Sequence, residues 1–136
     1  MSTSQQARCL CGACVVTAVG PSFNVRVCHC RLCQKAMGSP FFARAQFKQD
    51  ALTLEGPVGR FSSSERLDRV FCQRCGTRIG SWRKDGTTAG IAVALFDDRN
   101  AFTPTEHGWV SEKIQWLKID DGLPQYPEMA PQRTPQ

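Results

Sequence analysis

The sequence predicts an antiparallel all-β domain of sheets folded over one another. Two observations carry that expectation. β-branched and aromatic residues fall in many short runs punctuated by Gly and Pro, and only one stretch carries the stop signals of a helix. The expected strands are Ala13–Val19, Phe23–Cys28, Pro40–Phe47, Ala51–Leu54, Gly59–Ser62, Arg69–Phe71, Arg78–Trp82, Ala89–Leu95 and Gln115–Ile119. The one helical turn is Leu32–Met37, which ends at Gly38 with Pro40 just beyond. After Leu123 the composition changes. Pro124, Pro127, Pro131 and Pro135 lie in a polar stretch, so the chain divides into a domain over residues 1–123 and a Pro-rich tail over 124–136. The tail is expected to be extended and to pack only in part.

A chain of 136 residues suits one domain with a modest core, small enough to benefit from metal staples. No apolar run approaches the roughly 18 residues that a membrane span needs. The polar stretch Met1 to Arg8 lacks the basic-then-apolar profile of a secretory signal, so the expected compartment is the cytosol. Thiols stay reduced there, and the eight cysteines fall in tight groups instead of being scattered, which favours metal ligation over disulfides.

The clearest group is Phe71-Cys72-Gln73-Arg74-Cys75-Gly76, a zinc-knuckle turn. Two cysteines at C-x-x-C spacing can turn both sulfurs toward one metal, and Gly76 supplies a left-handed backbone position that aims amide N–H groups at them. A redox C-x-x-C usually opens a helix, whereas Thr77–Trp82 reads as strand. A structural zinc wants four ligands, so a second pair is required. Cys9 and Cys11, two apart on an extended segment and followed by Gly12, face the same way, but so do Cys28 and Cys30. Spacing leaves that choice open.

The middle group offers Cys28, Cys30 and Cys33 and no obvious fourth ligand. Three protein ligands on a tetrahedral zinc leave a position for water or substrate, the arrangement of a working site; the alternative is a second structural zinc with a remote fourth ligand such as Cys14, His29 or His107. His29 lies between two cysteines and on a strand points away from their sulfurs, and Cys14 reads as a small core residue. A zinc held by four thiolates carries −2 and one held by three carries −1. Two such sites bring the formal +5 down to about +2 and leave little support for nucleic-acid binding. No Ser–His–Asp set, phosphate loop or paired-acid motif stands out.

The ordered groups C-x-C-G, then Cys28-His29-Cys30-Arg31-Leu32-Cys33-Gln34-Lys35, then Phe71-Cys72-x-x-Cys75-Gly76 resemble the glutathione-dependent formaldehyde-activating enzyme family, which includes centromere protein V. The likeness continues through His107, Lys113, Trp116 and Asp121-Gly122-Leu123-Pro124. The resemblance implies the Mss4-like fold, also described as a β-tent. It implies two zinc ions per chain, a structural one on Cys9, Cys11, Cys72 and Cys75 and a catalytic one on Cys28, Cys30 and Cys33. It departs at Cys14, where relatives usually carry an aliphatic residue. The implied activity is that of a carbon–sulfur lyase joining glutathione and formaldehyde as S-hydroxymethylglutathione. Arg31, Lys35 and Arg44, close in sequence to the open site, are candidates for meeting the glutathione carboxylates. Two other readings remain: a glutathione- or zinc-binding protein without turnover, and a structural interaction module like the chromosome-associated relative.

Overall fold

The structure, a computed structural model, describes residues 3–133; Met1 and Ser2 of the polar N-terminus and Pro135 of the tail lie outside the described residues. Ten strands and one short helix make up its regular structure apart from 3-10 turns. In chain order they are β1 (Ser4–Arg8), β2 (Val15–Val19), β3 (Asn24–Cys28), α1 (Arg31–Met37), β4 (Phe42–Lys48), β5 (Leu52–Glu55), β6 (Val58–Ser62), β7 (Leu67–Cys72), β8 (Arg78–Arg83), β9 (Thr88–Ala92) and β10 (His107–Gly108). A small sheet has the order β1-β2-β5, and a larger one the order β10-β3-β4-β9-β8-β7-β6. All pairings are antiparallel except the short β10–β3 contact. This is the folded-over β architecture expected from the sequence.

The larger sheet uses its two faces differently, as the period-2 alternation of strands requires. Val25, Ala45, Phe47, Val70, Ile79, Trp82 and Ile91 join Val16 and Ala18 of the small sheet in the main core. The opposite face carries Arg26 and Cys28 on β3, Arg44 and Gln46 on β4, Gly90 on β9, Ser81 and Arg83 on β8, and Arg69 on β7, which together line a cavity. Helix α1 sits at the rim. Cys30 caps its start in extended backbone and accepts from the Cys33 amide, and Gly38 closes it in the left-handed region with φ 62°.

Two expectations are corrected. Gln115–Ile119 is not a strand. The Lys113 ammonium donates to the carbonyls of Ile114 and Leu117, and the Leu117 amide donates to Ile114 at 3.2 Å, so the segment curls and pairs with no neighbour. The run Ala89–Leu95 stops being a strand at Ala92 and continues as a 3-10 turn over Val93–Leu95. Strand β1 was not expected at all; its sequence, Ser4 to Arg8, is almost wholly polar and only Ala7 is fully buried.

Residues 124–133 are extended and laid along β10. The amides of His107, Trp109, Val110 and Ser111 donate to carbonyls of Pro124, Glu128, Tyr126 and Pro127, and the Tyr126 amide returns a bond to His107. Ala130 is buried, and the Pro131 carbonyl accepts from Arg26 Nη2 at 2.7 Å.

Candidate metal centres

The end of β1 and the β7–β8 connection meet at one end of the small sheet, and there the Sγ atoms of Cys9, Cys11, Cys72 and Cys75 all lie within 4.8 Å of one another. Two edges of this group, Cys9–Cys11 at 3.6 Å and Cys11–Cys72 at 3.8 Å, match the roughly 3.8 Å edge of a tetrahedron built from zinc–sulfur bonds of about 2.3 Å. Backbone amides are aimed at the sulfurs: Cys14 N–H donates to Cys9 at 3.2 Å, and those of Arg74 and Cys75 donate to Cys72 at 3.3 and 3.4 Å. Gly12 and Gly76 make these turns possible, at φ 80° and 79°. Hydrogen bonding from Thr77 lowers the Cys75 thiol to about 5. The donor set fits a closed four-thiolate zinc.

Cys14 lies outside this group. It is fully buried, and burial together with the neighbouring Cys72 pushes its thiol up to about 12, as befits a neutral core residue.

The second group gathers Cys28 at the end of β3, Cys30 at the start of α1 and Cys33 in its first turn, again with all sulfurs within 4.8 Å of one another. Among the described residues no further Cys, His, Asp or Glu joins them. Hydrogen bonding within the trio makes Cys33 the first to ionise and Cys28 the last; burial works against the Cys33 thiolate, and Arg44 and Arg69 favour it. Arg69 Nη1 stands 3.7 Å from Cys33 Sγ. Phe42, 1% exposed, packs beneath the trio, while Phe41 lies against His29.

His29 faces away from these sulfurs. Its Nε2 is 2.9 Å from His107 Nδ1, and His107 Nε2 is 2.7 Å from Asp121 Oδ2, a chain running from two buried histidines to an exposed carboxylate that fastens the segment after β10 to the end of β3. Burial, then His107 and Lys113, hold the His29 imidazole neutral, down at about 4. Neither histidine joins either sulfur group.

Residues 4–112 match the sequence profile of the glutathione-dependent formaldehyde-activating enzymes. The chain belongs to this family. A Schizosaccharomyces pombe protein described as an uncharacterized lyase is 31% identical over 74 residues, 54% of this chain and 54% of its own length, so the chain spans about half of the curated relative it matches. A crystal structure of a Rhodobacter sphaeroides protein superposes with a TM-score of 0.57 over 73% of this chain and 96% of its own, at 19% identity, which speaks for the fold alone.

In this formaldehyde-activating-family chain the three-sulfur group opens into a cavity of about 380 Å³. Of the three basic residues singled out in the sequence, only Arg44 lines it. Arg31 and Lys35 are exposed on α1 outside the lining, because a helix of two turns aims its side chains around its whole circumference. Residues that sequence reasoning passed over include Arg26, Arg69, Trp109 and Arg133. Arg26 stands two positions before Cys28 on one strand and shares its face, a signal the alternation contained. Arg69, Trp109 and Arg133 arrive from distant segments and carry no such signal. Trp109 also takes φ 57°, a left-handed backbone rare for a bulky residue, with its amide held by the Glu128 carbonyl at 2.7 Å.

Proposed function

We propose that this chain is a zinc-dependent carbon–sulfur lyase that forms or cleaves an S-hydroxymethyl adduct between glutathione, or another thiol, and formaldehyde or a related aldehyde. In this reading Cys28, Cys30 and Cys33 hold the catalytic zinc, and Cys9, Cys11, Cys72 and Cys75 hold a structural one. The observation that carries it is the inequality of the two sulfur groups: four donors at a turn between strands, three at the wall of a cavity. Membership of a family named for formaldehyde activation, and the lyase name of the yeast relative, support the same reaction class.

When bound, a three-thiolate zinc offers a fourth position that suits a soft sulfur ligand and keeps it deprotonated at neutral pH. The chain's own residues do the rest. The Cys33 amide, 3.3 Å from Cys30 Sγ, fixes the direction of that donor. Arg69 offsets the negative charge gathered at Cys33. Leu32 and Trp109 give the cavity apolar wall beside the trio, and Arg44 meets an anionic group of the incoming thiol. In the forward direction a bond forms between thiol sulfur and aldehyde carbon, and the thiol proton ends on the hydroxyl oxygen of the adduct. The reverse breaks the same bond.

The test is the rate of S-hydroxymethyl adduct formation from formaldehyde and glutathione, followed by NMR exchange with the zinc-loaded protein. Wild type should accelerate it above the spontaneous rate and Cys33→Ala should not. Equal acceleration by both would remove the lyase reading.

A further inference from the structure

Six arginines line the cavity, Arg26, Arg44, Arg66, Arg69, Arg83 and Arg133, against a single lining carboxylate, Glu112. Some of this charge is already answered. Glu106 takes Arg26 at 3.6 Å and Arg133 at 3.4 Å, Asp85 takes Arg83 at 3.4 Å, and Arg69 faces Cys33. Among the described residues, no carboxylate lies within 4.0 Å of Arg44 or Arg66.

Arg44 is held in place by the sheet. It stands directly across from Arg26 in the β3–β4 register, an arrangement of like charges that costs stability unless something answers it. On its other side β9 carries Gly90, where an added Cβ would fall 2.7 Å from Arg44 Cδ, so the glycine makes room for the arginine stem. The Nε atoms of both Arg26 and Arg44 are buried without an acceptor. Both guanidiniums belong to the wall of one cavity, and Arg44, which no carboxylate answers, is left to receive an acceptor group that a ligand brings.

A cationic group on that ligand would find no comparable welcome. Glu112 Oε1 already accepts from the Arg31 amide at 2.7 Å at the rim. Glutathione is a zwitterion of two carboxylates and one ammonium, with a net charge of −1, and its ammonium would enter a field set by arginines.

We propose that the cavity prefers, over a zwitterionic thiol such as glutathione, a polycarboxylate thiol of net charge −2 or more with no ammonium group, whose carboxylate is received by Arg44. This rests on the reading of Cys28, Cys30 and Cys33 as the thiol site and narrows its substrate class.

The test compares S-methylglutathione with its N-acetyl derivative by titration calorimetry on the zinc-loaded full chain. The two probes differ by one positive charge, and neither has a free thiol. The acetylated probe should bind about tenfold tighter, as one fully engaged charge predicts, with the gap closing at about 1 M salt. Arg44→Gln should weaken its binding by about tenfold, and Gly90→Ala, which displaces the Arg44 stem, should weaken it in the same direction. If Arg44→Gln does not fold, Arg44→Lys keeps the charge, loses the fork, and should still bind the acetylated probe more weakly than wild type. Equal or tighter binding of the free-amine probe overturns the proposal, as does an absence of binding by either. Because the probes cannot react, preference for the acetylated one without any turnover would sink the lyase reading and leave this one standing; turnover without the preference would do the reverse.

Discussion

At the scale of single residues, the two sulfur groups predict opposite consequences for one and the same substitution. Cys75→Ala opens the group that joins β1 to the β7–β8 turn. A structural zinc can carry roughly 10–16 kcal/mol of folding free energy, as much as the whole stability of an ordinary domain. That variant should therefore be unfolded by circular dichroism at 25 °C. Cys33→Ala removes a donor at the cavity wall, and its product should stay folded while metal analysis falls from two zincs per chain to one. A folded Cys75→Ala beside an unfolded Cys33→Ala would reverse the two assignments. A milder effect belongs to Asp121. Its hydrogen bond from His107, and then one from the Leu123 amide, hold the carboxyl below its usual value of 3.8. A group depressed in the folded state contributes stability that is present above its unfolded pKa, about 4, and lost as pH falls through the lower folded value. The Tm difference between wild type and Asp121→Asn should thus be largest near neutrality and shrink toward pH 3; a difference independent of pH would refute the hydrogen-bonded carboxylate.

At the scale of elements, the close approach of β8 and β9 depends on Gly80, which stands opposite Ile91 and beside the Gly90 carbonyl. A Cβ at Gly80 would lie 2.1 Å from the Gly90 carbonyl oxygen, a clash with backbone that no rotamer relieves. Gly80→Ala should destabilise the chain by roughly 2–4 kcal/mol in chemical denaturation; a loss under about 0.5 kcal/mol would mean that the strands are further apart than described. Most strands were legible because β-branched runs bounded by Gly and Pro can do little else. The exceptions share a cause. β1 is polar yet pairs with β2 through its backbone, and Gln115–Ile119 carries Trp116, Leu117 and Ile119 yet pairs with no strand. Pairing needs a partner, and a local pattern does not name one. Helix α1 was legible from its stop at Gly38, whereas its start required knowing that Cys30 caps it.

At the scale of the whole molecule, the segment 124–133 is a strap that completes the cavity with Met129, Ala130, Gln132 and Arg133, beyond the 4–112 span shared with the family. A chain ending at Leu123 leaves five backbone hydrogen bonds of the β10 region without partners. At about 1 kcal/mol each, Tm should drop by about 15–20 °C while both zincs are retained; an unchanged Tm would show that the strap contributes nothing. The sequence by itself determined the chemistry available: thiols in three groups, turn glycines that aim amides at sulfur, and short strands that must fold over one another to bury one face. Those are local facts, set by residue type and by spacings of two and three. Only the tertiary structure decided which groups meet, that the first and third close together while the second stands alone, and that arginines from four strands and the strap converge above it. Sheet register and strap position are long-range relations, and covalent spacing along the chain does not encode them one residue at a time.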